Sequence, residues 1–483
     1  MKKILSLFIA LAMVAVMIPY AASAEGEITN LVWYGVDYFN TDDAKLAAVE
    51  AACNERLADK GLSVTLKLLS AGEYIQKCRL LCTAGEESDI LWMGYLGLKA
   101  YDALHSGMIQ PMETYLDEVP DLKELMSTYR NGQNTDPEVG LYAVPCLQIM
   151  TTGNAYLLRK DIVEEYDLYD EMAEVHDILD MSEFLLDVKQ NYLPDNMYVA
   201  TVVPTNNSRW DYEANEFIYY PNVDAYYIDL TTGQVMDDEK LFNFELEYYE
   251  IMKTWQDNGF FHPDMLTISD PNSDLWANNL TFAALDAYKP GGETDWYNRY
   301  GIDCVYLPYI ASTLDTGWAT CLTIPYQSTK GLEAMKLIEQ VYTDPVLFNL
   351  LVNGIEGVDY EWADEGHIQQ LPGCFQQSGW AVGNQFLQYP MVGQDVDIWE
   401  KTKAMNDTAF RNPLLEFAFD KSAIEAEYAS VSAARSEYSK ILQYGLCEDV
   451  AATLTARNEA LKAAGNDAII EELNRQLSDF LGY

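Results

Sequence analysis

The sequence predicts an α/β protein of more than one domain that ends in a helical tail. Three observations carry this. Residues 30–107 alternate short apolar runs with amphipathic runs of helical period, in the order β-α-β-α-β-α. The chain has 483 residues, 49% of them hydrophobic, which is more than one core accommodates and too apolar for a disordered chain. From about residue 421 the composition turns rich in Ala, Glu and Leu, with almost no proline.

The N-terminal end reads as a secretory signal peptide. Lys2 and Lys3 precede an apolar run over 4–18 broken only by Ser6, and Ala22-Ser23-Ala24 supplies the small-x-small cleavage site. Cleavage is expected after Ala24, leaving Glu25 first. The run is too short for a good transmembrane helix. The first cysteine is Cys53, so no lipid-anchor cysteine stands at the cleavage site. The expected location is therefore exported: extracellular, cell-surface-associated or periplasmic.

Charge narrows the partners. Thirty Lys and Arg face 76 Asp and Glu, a net −46, and loss of the two leader lysines brings the mature chain to about −48. Such a surface repels nucleic acid and anionic membranes. The acids are scattered, as on a solvated surface. The eight cysteines form no C-x-x-C pair, and no bridge is expected.

The first strand is 30–34. A helix follows, capped by Thr41 or Asp42, with Leu46, Val49, Cys53 and Leu57 on its apolar stripe and Gly61 as its stop. The second strand is 64–69, and the helix 73–83 turns Ile75, Cys78 and Leu81 or Cys82 inward. A third strand over 89–93 precedes a helix around 98–105 that stops at Gly107. This pattern gives a mostly parallel sheet covered on both faces. Further along, 141–144 and 154–158 are extended, 160–166 and 181–188 helical, and 199–204 is a strand running into a polar loop. Residues 211–235 contain a hairpin turning at Thr232-Gly233. A long helix over 241–258 stops at Gly259; 280–287 and 301–307 are strands; 332–342 and 346–352 are helices. In the tail, Ile424, Tyr428 and Val431 lie on one helical face, Val450, Leu454 and Leu461 on a second closed by Gly465, and Ile470, Leu473, Leu477 and Phe480 on a third.

Catalytic patterns are missing. The chain has no G-x-S-x-G, S-x-x-K, H-E-x-x-H or phosphate-binding glycine motif. Its four histidines, His105, His176, His262 and His367, are scattered. Asp270, Asn272 and Asp274 begin a calcium loop that fails at Leu275, where the turn needs glycine, and at Thr281, where an acid should bind. A carboxylate pair for glycoside hydrolysis has no sequence signature, because only its spacing in space matters.

The distinctive signal is aromatic: 34 Tyr and 10 Trp, many at strand ends and in loops. Trp33 and Tyr34 end the first strand, on opposite faces, and lead to Asp37. Trp92 ends the third strand with Tyr95 just beyond. Trp210 lies in the loop after 199–204, and Tyr288 follows 280–287. Trp318 and Trp380 sit in glycine-flanked turns. Ligands of open α/β sheets bind beyond the carboxyl ends of the strands, where flat rings can stack on a sugar while Asp, Asn and Lys bond its hydroxyls.

Several stretches carry a family resemblance: DILWMGYLGLKAY at 89–101, LRKDIVEEY at 158–166, DPVLFNLLVNGIEGVDYEW at 344–362, GWAVGNQFLQYP at 379–390 and LKAAGNDAIIEELNRQLSDF at 461–480. By pattern and order over residues 28–483 the chain resembles the extracellular solute-binding proteins of ABC importers. The likeness is to the carbohydrate-uptake class, in its lipoprotein branch with a helical C-terminal extension. The resemblance implies a two-lobed periplasmic-binding-protein (type II, Venus flytrap) fold. Lobe 1 would be 25–147 with 301–332, lobe 2 would be 148–300 with 333–414, and the extension 415–483. Crossovers are expected near 146–152 and 296–302, with a third near 330–340. Tyr34, Asp37, Trp92 and Tyr95 would line the first wall of the cleft, and Asn206, Trp210, Tyr288, Lys289 and Trp380 the second, with Trp318 and Glu356 as further candidates. The implied partners are an oligosaccharide and the permease subunits of the transporter, with a monomeric protein, no cofactor, no metal and no catalysis. The missing anchor cysteine is a departure from the branch. The competing readings are an exported carbohydrate-active hydrolase using a carboxylate pair, and a solute sensor.

Overall fold

A computed structural model describes residues 28–482 except 95, 97, 131–133, 203–216, 221–225, 269, 308–312, 315–319, 412 and 415–416. The signal peptide lies outside the described residues.

Local chemistry sets the first elements. Strand Thr29–Asp37 pairs in parallel with Leu62–Ser70 along its whole length, from Thr29 against Leu62 to Asp37 against Ser70. Between them, Asp42 caps helix Asp43–Leu57 by accepting the backbone N–H of Ala44 at 3.0 Å and of Lys45 at 3.3 Å. Ser70 and Glu73 form a capping box at the start of helix Ala71–Thr83. That helix buries Tyr74, Cys78, Leu81 and Cys82 and leaves Ile75 45% exposed, so Tyr74 replaces the expected Ile75 on its inner face. The two residues are one position apart, and the larger ring takes the inward place. Every residue of strand Ile90–Gly94 is buried, as a central strand with both faces covered must be.

The first sheet has five strands in the order Leu62–Ser70, Thr29–Asp37, Ile90–Gly94, Thr320–Thr323, Val144–Pro145. Thr320–Thr323 runs antiparallel to both its neighbours. The core around this sheet takes residues from Leu31 to Leu147 and again from Cys321 to Val382. A second sheet has the order Cys304–Tyr306, Asn154–Arg159, Thr281–Ala287, Tyr198–Ala200. Its core holds Tyr156, Phe184, Trp255 and Phe282. The fold is thus two α/β lobes.

Two boundaries differ from the sequence expectation. Cys304–Tyr306 joins the second sheet, antiparallel to Leu157–Arg159, so the chain returns to the first lobe after Leu307 and not at 296–302. Helices Gly331–Thr343 and Pro345–Asn353 then pack into the first core through Leu337, Ile338, Val341, Leu347 and Phe348. No crossover occurs at 330–340, and this stretch belongs to the first lobe. The physical reason is common to both: an apolar strand or helix announces that it will be buried, but not against which sheet.

The connecting segments meet in a small sheet of their own. Thr313–Leu314 pairs antiparallel with Thr151–Thr152 and parallel with Phe410–Arg411. Each of these strands lies in a stretch where the chain leaves one core for another, so this sheet is the hinge.

Helices Glu425–Gln443, Val450–Ala463 and Asn466–Leu481 form the C-terminal extension. Leu442, Val450 and Leu454 enter the second core, while Leu461, Ile469, Leu473 and Leu477 pack on Tyr226 and Ile228 of a hairpin that turns at Gly233, as expected. Arg457 and Glu245, each with only 6% of its side chain exposed, form a buried two-pronged ion pair between the extension and helix Asp238–Asp257. At Gly445 the backbones touch: a Cβ there would lie 2.4 Å from the Met252 carbonyl oxygen.

Candidate functional site

In the first lobe the parallel strands end at Asp37, Ser70 and Gly94. The first strand lies between the second and the third, so the strand order reverses there, and the ends at Asp37 and Gly94 flank a topological switch point, the place where open α/β sheets bind ligands. Three aromatic rings converge at this edge. Trp380, in the turn Gly379–Ala381, lies 5.3 Å from the ring of Tyr38 and 6.4 Å from that of Trp92. Trp92 is fully buried and meets Tyr74 edge-on at 5.7 Å; the Tyr74 hydroxyl donates to the Trp92 carbonyl. Trp380 remains partly exposed, so it is the ring that can offer a face. Trp380 was expected on the second wall. It stands on the first, because Leu147 and Gln385 exchange backbone bonds with its turn region, through Leu147 to Gly383 and Gln385 to Leu147, both at 2.8 Å. Tyr38 was not singled out by sequence; its place immediately after a strand end is the signal that could have found it.

Two other first-wall candidates have structural duties. The Asp37 carboxylate accepts the backbone N–H of Phe39 at 2.8 Å and of Thr41 at 2.7 Å, and the Thr41 hydroxyl at 3.1 Å, so it builds the turn into the first helix. Tyr34 is 4% exposed. Its hydroxyl donates to Glu86 at 2.8 Å, with the Lys77 ammonium 5.1 Å from its ring centroid. Burial, with the Glu86 bond behind it, pushes its phenol above the usual value. Tyr34 is therefore a packing residue and not a ligand group. Trp33, on the other face, lines a small apolar cavity with Leu66, Leu351 and Phe375.

The second lobe presents the carboxyl end of Thr281–Ala287. Tyr288 follows it directly and packs edge-on to Tyr306 at 5.0 Å, whose hydroxyl donates to the Ala287 carbonyl at 2.9 Å. Lys289 pairs with Asp295. Burial alone would push the Lys289 ammonium down, but Asp295 and then Asp286 hold it above the ordinary lysine value. Asp295 also accepts the Gln394 side chain at 2.8 Å, and Asp286 accepts the Trp296 indole N–H at 2.6 Å. These acids are already engaged.

Glu356 is exposed, in a turn organised by its neighbour Asp359, which accepts the N–H of Ile355 at 2.9 Å and of Phe375 at 2.7 Å. Tyr95, Asn206, Trp210 and Trp318 lie outside the described residues. Among the described residues no cluster of His, Cys, Asp and Glu could hold a metal, no cysteine is bridged, and no helix is long and apolar enough to cross a membrane.

The two-lobed α/β fold is also found in known structures. The fold is that of the solute-binding proteins. NgtS, an N-glycan transport solute-binding protein from Streptococcus pneumoniae, superposes with a TM-score of 0.80 at 19% identity, covering 94% of this chain and 99% of NgtS. Its complex with Man5GlcNAc gives 0.72 at 19% identity, covering 94% and 98%. FusA of S. pneumoniae, an ABC-transporter substrate-binding protein in complex with kestose, gives 0.62 at 12% identity, covering 94% and 100%. An HMO-binding, ABC-transporter-associated solute-binding protein from Bifidobacterium longum infantis gives 0.57 at 14%, covering 94% and 99%. Residues 413–482, the extension, match a domain of unknown function, DUF3502. No curated protein matches the chain by sequence.

Proposed function

We propose that the protein captures an oligosaccharide in the crevice between its lobes and delivers it to the permease subunits of an ABC importer, without turning it over. The observation that carries this reading is the Tyr38–Trp92–Trp380 cluster at the switch-point edge, with one partly exposed ring held by two others. A rigid aromatic face suits the C–H face of a sugar. The second wall would add Tyr288 and the charged Lys289, and Tyr95, Asn206, Trp210 and Trp318 would complete the lining. Likeness in fold to NgtS and FusA, both crystallised with oligosaccharides, supports the ligand class. Closure about the hinge sheet gives the ligand its differential affinity for the closed state. The protein is exported after cleavage at Ala24 and acts as a monomer.

The test is a calorimetric titration and a melting-temperature screen against Man5GlcNAc, kestose, alginate oligosaccharide, peptides and polyamines. A sugar should raise the melting point, compact the molecule in solution scattering and be recovered unchanged. Shortened sugar released in proportion to protein concentration would establish the hydrolase reading. Binding of peptides or polyamines alone would overturn the sugar assignment. N-terminal sequencing of the exported protein should begin at Glu25.

A further inference from the structure

Asn406 lies near the end of helix Ile398–Thr408, just ahead of the hinge strand Phe410–Arg411. Its side-chain oxygen accepts the Met150 N–H at 2.7 Å, and its side-chain nitrogen donates to the Gln148 carbonyl at 2.9 Å. Met150 immediately precedes the hinge strand Thr151–Thr152. One amide side chain therefore clamps the approaches to two of the hinge strands. Gln148 carries the connection onward: its side-chain nitrogen donates to the Thr320 hydroxyl at 3.0 Å, and that hydroxyl donates to the Trp380 carbonyl at 2.8 Å. Thr320 itself opens the strand that the remaining hinge segment leads into, and its carbonyl accepts the Cys146 N–H at 3.1 Å.

All three side chains are buried: Asn406 is 8% exposed, Gln148 7% and Thr320 0%. Buried polar groups of this kind hold position strictly, because a partner left unpaired in low dielectric is costly. Lobe closure in the function proposed above would act at the hinge sheet, and the chain of bonds joins that sheet to the backbone of the ring that the binding reading uses.

We propose that Asn406, Gln148 and Thr320 are positioning residues that couple the hinge to Trp380, so that the angle between the lobes and the orientation of the stacking ring change together. The sugar-binding role of Trp380 comes from the function proposed above; the coupling itself is testable without any ligand.

The ligand-free test uses the full chain grown with 5-fluorotryptophan. Fluorine NMR gives one resonance per tryptophan, and Trp380→Phe identifies that of Trp380. Asn406→Ala should shift or broaden the Trp380 resonance, although Asn406 hydrogen-bonds to the hinge approaches and not to Trp380. Asn406→Asp, which keeps the acceptor for Met150 and loses the donor to Gln148, should do the same. Trp276, buried with Trp296 in another cluster, should not move. Thr320→Val tests the last link and serves if an Asn406 variant fails to fold. A Trp380 resonance unchanged in the folded Asn406 and Thr320 variants overturns the coupling. A shift spread equally over Trp276 also overturns it, since that is the signature of general loosening. In a second arm, Man5GlcNAc is titrated into wild type and Thr320→Val; the variant should bind about fivefold or more weakly. If wild type binds no sugar, the binding reading falls while the fluorine spectra still decide the coupling.

Discussion

Removing Arg457 should release the C-terminal extension from the second lobe. Arg457 and Glu245 come from helices Val450–Ala463 and Asp238–Asp257 and meet in two parallel contacts, one of 3.0 Å. Each side chain is 6% exposed. Burial alone would push the guanidinium down, but Glu245 holds it above its usual value, so Arg457 stays charged. In Arg457→Ala the buried Glu245 carboxylate loses its counter-charge. Stranding one member of a buried pair costs about 3–5 kcal/mol. Replacing both, with Arg457→Met and Glu245→Leu, removes the desolvation of both groups and should restore stability to within about 1 kcal/mol of wild type. Urea unfolding followed by far-UV circular dichroism measures the global effect, and limited proteolysis around residues 443–450 reports local release of the extension. A loss of about 4 kcal/mol raises the open fraction roughly a thousandfold, so cleavage should accelerate visibly. A cost below about 1 kcal/mol for Arg457→Ala, or a double variant no better than the single one, would refute the claim that this pair docks the extension.

Trp380→Ala and Tyr38→Ala should each weaken sugar binding about fivefold to tenfold, from about 1 kcal/mol per stacked or supporting ring, with the fold intact; unchanged calorimetric titrations for both would misplace the crevice. Gly445→Ala should destabilise by about 2–3 kcal/mol in urea unfolding, because its backbone has φ +61° and the added Cβ meets the Met252 carbonyl; a neutral result would mean the two backbones separate freely. His367 is held between the Asp364 carboxylate, 2.8 Å from Nδ1, and the Gln394 carbonyl, 3.0 Å from Nε2, so both ring nitrogens donate and the bond to Asp364 raises its pKa above 6.5. A raised folded value means its contribution is fully present below about pH 6.5 and fades as pH rises through the folded value. An NMR titration should show this midpoint above 6.5 and Asp364→Asn should bring it down; a wild-type midpoint at or below 6.5 contradicts the geometry.

The parts of the fold legible in sequence are those whose cause lies within a few residues. Asp42 caps the first helix, Ser70 and Glu73 form the capping box of the second, and Gly61 and Gly233 adopt the left-handed conformation their turns require. The faces of the extension are likewise a matter of helical period: Val431, Leu454, Leu461, Leu473 and Leu477 are buried, while on the third face Ile469 takes the buried place next to the expected Ile470 and Phe480 is exposed. At the site, Tyr288 directly follows its strand, as the sequence reading has it, while Trp92 sits in the middle of Ile90–Gly94 and is fully buried, two residues short of the strand end expected for it. Asp37 closes the first strand, which runs three residues past the expected end at Tyr34. The Asp37 and Tyr34 side chains were committed to Thr41 and Glu86, and a one-dimensional pattern carries no record of such partners.

The sequence by itself determined the alternation of strands and helices, the caps and stops, the acidic surface and the amphipathic tail, because propensity, period and charge act locally or by simple summation. Only the tertiary structure decided which sheet Cys304–Tyr306 joined, which core received the helix Gly331–Thr343, and which wall Trp380 stood on. Those choices depend on contacts between residues far apart in the chain. Hydrophobic burial is non-directional, so one apolar strand edge is as good a partner as another until packing and register select between them. The hinge was invisible in sequence for the same reason: its three strands are two residues each, and only their meeting in space gives them a function.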